Sequence, residues 1–112
     1  MIKKITTQTL FDWYSIKKKM IVLDTLPAIS YLKGHLPNAI NIVSDDIILE
    51  APRLLDDKYI PIVVYCANSR CKRAGLYADR LIKLGYSEVL HYEEGKAGWV
   101  QAGYELEQME NK

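Results

Sequence analysis

Ile62, Val63, Val64 and Tyr65 form an unbroken apolar run, opened by Pro61 and closed by Cys66. Three of the four are β-branched and the fourth is aromatic, the composition of a strand covered on both faces. Further on, Ala74, Tyr77, Ala78, Leu81 and Ile82 follow the i, i+3, i+4, i+7, i+8 spacing of an amphipathic helix. Gly85 stands where that helix should stop, as a glycine past the C-cap. A doubly buried strand feeding such a helix is half of a βαβ unit, and it constrains the rest of the chain to supply more of them.

The remaining runs fit. Met20, Ile21, Val22 and Leu23, closed by Asp24, read as a second doubly buried strand. Ile40–Asn41–Ile42 is a shorter strand and Val89–Leu90–His91–Tyr92 another. Thr9 to Lys17 reads as a helix with Leu10, Phe11 and Tyr14 on one face, and Lys17, Lys18 and Lys19 fall at its end, where cations suit the helix dipole. The same lysines could meet an anionic partner. Asp45 to Leu55 has helical spacing, with Pro52 expected to break it or to start a new turn. Ala97 to Ala102 reads as a last short helix before Gly103. With no repeat and no Pro/Gly/Ser linker, residues 1–112 are expected to form one α/β domain. Its sheet should be mostly parallel, with helices on both faces.

Composition narrows the function. At 112 residues there is no room for a catalytic domain beside a separate cofactor domain. Lys plus Arg is 15 and Asp plus Glu 14, so the net charge of +1 speaks against a general nucleic-acid binder. No apolar run approaches the ~20 residues that cross a bilayer, so no membrane association is expected. Lys3 and Lys4 are followed by Thr6, Thr7, Gln8 and Thr9, where a signal peptide needs an apolar stretch. Two cysteines are too few for a disulfide-built secreted domain, which makes the reducing cytoplasm the expected location.

In parallel sheets, ligands bind beyond the carboxyl ends of the strands. Cys66 stands there, followed by Ala67, Asn68, Ser69, Arg70, Cys71, Lys72 and Arg73. The next helix points its N-terminus, with free N–H groups and a positive dipole end, at this segment. Those groups and the three cations favour thiolate. An ordinary thiol of pKa ~8.5 is only about 3% ionised at pH 7, whereas a pKa of ~6.5 makes it roughly 75% ionised. The bland alternative is a buried structural cysteine finishing a strand. A zinc site would need two ligands beyond Cys66 and Cys71, and His35 and His91 are isolated, so neither metal nor cofactor is expected. His91, in an apolar strand, reads as a packed residue. The segment has no glycine and is no phosphate loop.

These residues resemble a family. Gly34-His35-Leu36-Pro37-Asn38-Ala39-Ile40-Asn41 is similar to the G-H-I-P-G-A-I-N segment of rhodanese domains, and Val22-Leu23-Asp24 to the strand before it. Ile62 to Cys66 resembles the strand bearing their catalytic cysteine, Leu84-Gly85-Tyr86 the end of the next helix, and Gly95, Trp99, Ala102 and Gly103 their closing G-x-x-x-W-x-x-A-G pattern. The resemblance implies a five-stranded parallel sheet and sulfur transfer through a persulfide on Cys66, with the backbone N–H groups of residues 67 to 71 cradling the outer sulfur. The chain departs from the common C-R-x-G-x-R loop: Ala67 stands for an Arg, Ser69 for a Gly and Cys71 for another Arg. Asp24 is followed by Thr25 and Leu26, where the family often has Arg two residues on. Arg70, Lys72 and Arg73 are left to contact a small anionic sulfur donor.

Four functions compete at this point. A sulfurtransferase would pass sulfur from Cys66 to a thiol, a protein or another nucleophilic acceptor. A phosphatase or arsenate reductase uses C-x-x-x-x-x-R, but that position holds Lys72, with Arg73 one residue late, and lysine lacks the planar fork. A dithiol redox or sulfide-sensing module would pair Cys66 with Cys71. A non-catalytic interaction domain would not need the cysteine. Cys71 itself has two readings: a resolving thiol that attacks a Cys66 persulfide, or a small packed residue at the helix start.

Overall fold

The computed structural model of the chain describes residues 2–43 and 47–108. In order they form β1 (Lys3–Lys4), α1 (Thr7–Ser15), β2 (Ile21–Asp24), α2 (Ala28–Lys33), β3 (Ile40–Asn41), α3 (Ile47–Leu54), β4 (Ile62–Tyr65), α4 (Arg73–Lys83), β5 (Val89–Tyr92) and α5 (Gly95–Gln101). The five strands make one sheet in the order β1-β5-β4-β2-β3, with every pairing parallel. Parallel neighbours cannot be joined by hairpins, so each connection crosses over through a helix.

β4 is the middle strand and its alternation divides the interior in two. Ile62, Val64 and Cys66 face a core shared with Ala51 of α3 and Ala74, Tyr77 and Leu81 of α4. Val63 and Tyr65 face the other core, with Leu10 of α1 and Trp99 of α5. This two-sided burial is why the run 62–65 is apolar throughout, all four residues being buried. The α/β class and the helices on both faces stand as expected.

Several element ends differ from the sequence reading for local reasons. α1 starts at Thr7 because Thr6 is its N-cap, its Oγ1 accepting from Thr9 N–H at 3.1 Å. α1 ends at Ser15, so Lys17, Lys18 and Lys19 lie beyond the helix and not in its last turn. The turn is closed by Lys17 N–H to Tyr14 O and Lys18 N–H to Trp13 O, with Lys17 at φ 55° where glycine is usual. α4 ends in the same motif with the expected glycine: Gly85 N–H bonds Ile82 O, Tyr86 N–H bonds Leu81 O, and Gly85 has φ 100°. Pro52 does not break α3. It sits within the helix, whose bonding continues past it through Leu55 N–H to Ala51 O. Asp45 and Asp46, the expected start of that helix, lie outside the described residues.

Candidate active site

Neighbouring strands β2 and β4 send their chains in opposite directions, β2 outward to β3 and β4 outward to β5. Their carboxyl ends therefore flank the crevice where ligands bind in open parallel sheets. Cys66 follows β4 at this crevice and Asp24 ends β2 beside it, in register with Tyr65.

The cysteine is not an open thiol here. Cys66 and Cys71 are joined by a disulfide with their Cα atoms 6.2 Å apart, and Cys66 is 2% exposed. The expected thiolate therefore belongs to the reduced form, since a disulfide sulfur does not titrate. Asn68 organises the loop between them: its carbonyl accepts from Cys71 N–H at 3.2 Å and its Oδ1 from Arg70 N–H at 2.9 Å. Asparagine suits this double role because its side chain mimics a backbone turn. Two of the N–H groups assigned to an outer sulfur are thus occupied inside the loop. Those of Ala67, Asn68 and Ser69 meet no acceptor among the described residues. Arg70, Lys72 and Arg73 are exposed, and Lys72 is the N-cap of α4, without a side-chain cap bond.

The back of the loop is fastened to α5. Lys96 N–H donates to Cys66 O at 3.1 Å and Ala97 N–H to Ala67 O at 2.9 Å, so amides of the first turn, which have no partner within their own helix, are satisfied by the loop. Gly95 permits the approach. At φ +64°, a Cβ placed on it would lie 2.4 Å from Cys66 O and 2.9 Å from Ala67 C.

Beneath the site is a buried polar chain that sequence reasoning did not single out. Asp24 is fully buried; its Oδ2 accepts from Tyr65 O–H at 2.6 Å and its Oδ1 from Leu26 N–H at 2.8 Å. Burial raises the Asp24 carboxyl above its ordinary value, offset in part by Tyr65, Leu26, Lys96 and His35. Burial and the nearby carboxylate likewise push the Tyr65 phenol well up. The sequence gives Asp24 only as the polar residue that closes an apolar run. Lys96 carries no motif, and its importance comes from where α5 lands.

The histidines stand apart from the cysteines. His35 is buried, stacked on the Tyr31 ring at 3.9 Å, with Nδ1 2.7 Å from Tyr31 O. His91 is half-buried against Gly75, and burial lowers its pKa. Among the described residues no group of three or more His, Cys, Asp or Glu could hold a metal ion. A cleft of about 460 Å³, lined by residues including Tyr14, Lys17, Lys18, Met20 and Pro37, lies at the amino ends of β2 and β3, the far end of the sheet from Cys66.

Together these features define an α/β protein with a cysteine loop at the switch point of a parallel sheet. The profile of the rhodanese-like domain matches residues 8–102, and the chain belongs to that family. Solved structures agree in fold. A protein from Bacillus halodurans is similar with a TM-score of 0.88 and 25% identity, over 96% of this chain and 77% of that one. A rhodanese-like domain from Anabaena sp. is similar with a TM-score of 0.84 and 22% identity, over 96% and 80%. A thiosulfate sulfurtransferase from Pseudomonas aeruginosa is similar with a TM-score of 0.86 and 20% identity, over 99% of this chain. This chain spans only 21% of that enzyme's chain. Among the described residues, no helix is long and apolar enough to cross a membrane.

Proposed function

We propose that this protein is a sulfurtransferase that carries sulfane sulfur on Cys66 and that Cys71 is its resolving thiol. The observation that carries the reading is the bond between Cys66 and Cys71 at the carboxyl end of the central strand of a rhodanese-like domain. In the first step the Cys66 thiolate attacks the sulfane sulfur of a small anionic donor such as thiosulfate. The bond from that sulfur to the donor breaks, sulfite leaves with the electron pair, and Cys66 becomes a persulfide. The negative outer sulfur is stabilised by the N–H groups of Ala67, Asn68 and Ser69, which the loop leaves without an acceptor, and by Arg70, Lys72 and Arg73. In the second step a nucleophile takes the sulfur. An external thiol or protein acceptor leaves Cys66 as thiolate. The Cys71 thiolate instead attacks Cys66 Sγ, expels the outer sulfur as hydrosulfide, and forms the disulfide. The two cysteines are then oxidised by two electrons and the sulfane sulfur is reduced to sulfide. A dithiol reductant restores the loop, which fits a reducing compartment such as the cytoplasm.

The same disulfide favours one second reading, a dithiol redox or sulfide-sensing module. Oxyanion chemistry of the phosphatase kind has less support, since the position that should grip the anion is Lys72.

Intact-mass analysis separates these. Reduced protein carrying Cys71→Ser, exposed to thiosulfate or a persulfide donor, is expected to gain one sulfur atom on Cys66, and the Cys66→Ala variant none. Absence of any sulfur gain with either donor would overturn the proposal. Loss of two hydrogens in the unsubstituted protein, with no sulfide released, would establish the redox module instead.

A further inference from the structure

The Lys96 side chain takes a path that its neighbours explain only in part. Its backbone N–H holds Cys66 O at 3.1 Å, and its Nζ donates to Ser30 O of α2 at 2.8 Å. α5 follows β5 and α2 follows β2, while β4 lies between those strands. A side chain that leaves α5 and ends on α2 has crossed the carboxyl end of β4, which is where Cys66 sits. The residue is half-buried. Ser30 O is already an acceptor for Gly34 N–H at 3.3 Å, so the lysine is not needed to satisfy that carbonyl. An ammonium has three donors, and Ser30 O is the one hydrogen-bond acceptor it has among the described residues. The nearby Asp24 carboxylate makes no direct ion pair with it among the described residues; the Asp24 oxygens are turned to Tyr65 O–H and Leu26 N–H instead. A half-buried cation whose own backbone holds the cysteine loop, and whose ammonium is tied by one bond to a shared carbonyl, is a poor structural clip and a good anion receptor.

We propose that Lys96 is the donor-recognition residue of the Cys66 site, its ammonium binding the oxyanion head of a sulfane-sulfur donor. This rests on the sulfurtransferase reading for the identity of the ligand, but the charge effect does not. Lys96 selects donors that bear an oxyanion next to the sulfane sulfur over neutral persulfides and polysulfides. Arg70, Lys72 and Arg73, exposed on the loop, draw anions in, and Lys96 holds them at the carboxyl end of β4, the strand that Cys66 follows.

The test uses two alkylating probes of similar size on reduced protein with Cys71→Ser, so that Cys66 alone reports. Iodoacetate is anionic and iodoacetamide neutral. Their rate ratio cancels any change in thiolate fraction or loop exposure, which acts on both, and isolates the charge over the sulfur. Lys96→Gln is expected to lower the iodoacetate-to-iodoacetamide ratio about three- to tenfold, the effect of one unit charge several ångström away in a wet site. Lys96→Met, which keeps the aliphatic stem, should lower it as much, and Lys96→Arg should retain it. In parallel, KM for thiosulfate should rise in Lys96→Gln and Lys96→Met while kcat changes less. A ratio unchanged in both variants would overturn the proposal, as would loss of the ratio in Lys96→Arg. A ratio that falls as expected in a protein that accepts no sulfur would uphold the anion site and reject the sulfurtransferase reading.

Discussion

Tyr65 and Asp24 are partners twice over, as register neighbours between β4 and β2 and through a 2.6 Å hydrogen bond from the Tyr65 hydroxyl to Asp24 Oδ2. The same hydroxyl accepts from Leu36 N–H at 3.0 Å, which ties the segment before β3 to the pair. A fully buried acid in this setting has a pH signature. A carboxyl with a raised folded-state pKa binds its proton more readily in the folded chain than in the unfolded one. Its contribution to stability is therefore complete below the unfolded value of 3.8 and is lost as pH rises through the folded value.

Asp24→Asn removes that titration. The variant is expected to be destabilised more at pH 4 than at pH 7, because at pH 7 the natural protein bears the cost of a buried carboxylate. Urea unfolding at the two pH values checks this. A larger loss at pH 7 would mean that the bonds to Tyr65 and Leu26 outweigh burial.

Cys71→Ser is expected to lengthen the life of the Cys66 persulfide and to slow sulfide release, roughly tenfold or more, since only external thiols remain as attackers. Both rates follow from a single loading with donor in the absence of reductant. Unchanged rates would make Cys71 a packing residue, in keeping with its partly buried place against the α4 core.

Gly95→Ala should cost at least ~2 kcal/mol, the sum of a left-handed residue with a Cβ and a collision with the Cys66 and Ala67 backbone. The loop must shift to admit the methyl, so Cys66 reactivity should change with stability. Thermal unfolding and alkylation rate measure the two. A variant unchanged in both would show that α5 does not seat the loop.

Lys17→Gly tests the end of α1. A lysine at φ 55° bears a strain that glycine does not, and glycine's greater unfolded-state freedom offsets only part of it. The expected gain is about 0.5–1 kcal/mol, or ~2–5 °C in Tm. A loss would indicate that the lysine side chain contributes more than its backbone costs.

The elements legible in the sequence are those whose side chains meet a core. β2, β4 and α4 announce themselves because burial on one or both faces leaves an apolar pattern. β1 is silent: Lys3 and Lys4 are both exposed on an edge strand, and only their backbone pairs with β5. α2 is silent for the same reason, having no buried residue, and its Ile29 is 65% exposed. At the site, Cys66 and its loop are readable because strand, thiol and cations are contiguous in the chain. Asp24 and Lys96 are not, because their meaning depends on which strands become neighbours and on where the last helix comes to rest. The pairing of Cys66 with Cys71 was open from spacing alone, and it is the Asn68 turn that brings the two together.

The grip of α5 on the loop reaches further than the loop. Amides at one end of this seven-residue helix hold the carbonyls of Cys66 and Ala67, while Trp99, four residues after Gly95, is buried in the opposite core with its indole N–H on Glu105 O at 3.0 Å. Opening or closing the sulfur bridge is therefore expected to act on a helix that also carries Trp99, a shielded fluorophore among Phe11, Tyr14 and Tyr104. With Trp13→Phe, so that Trp99 alone reports, the emission of reduced and oxidised protein is expected to differ; identical spectra would show that α5 does not transmit the change.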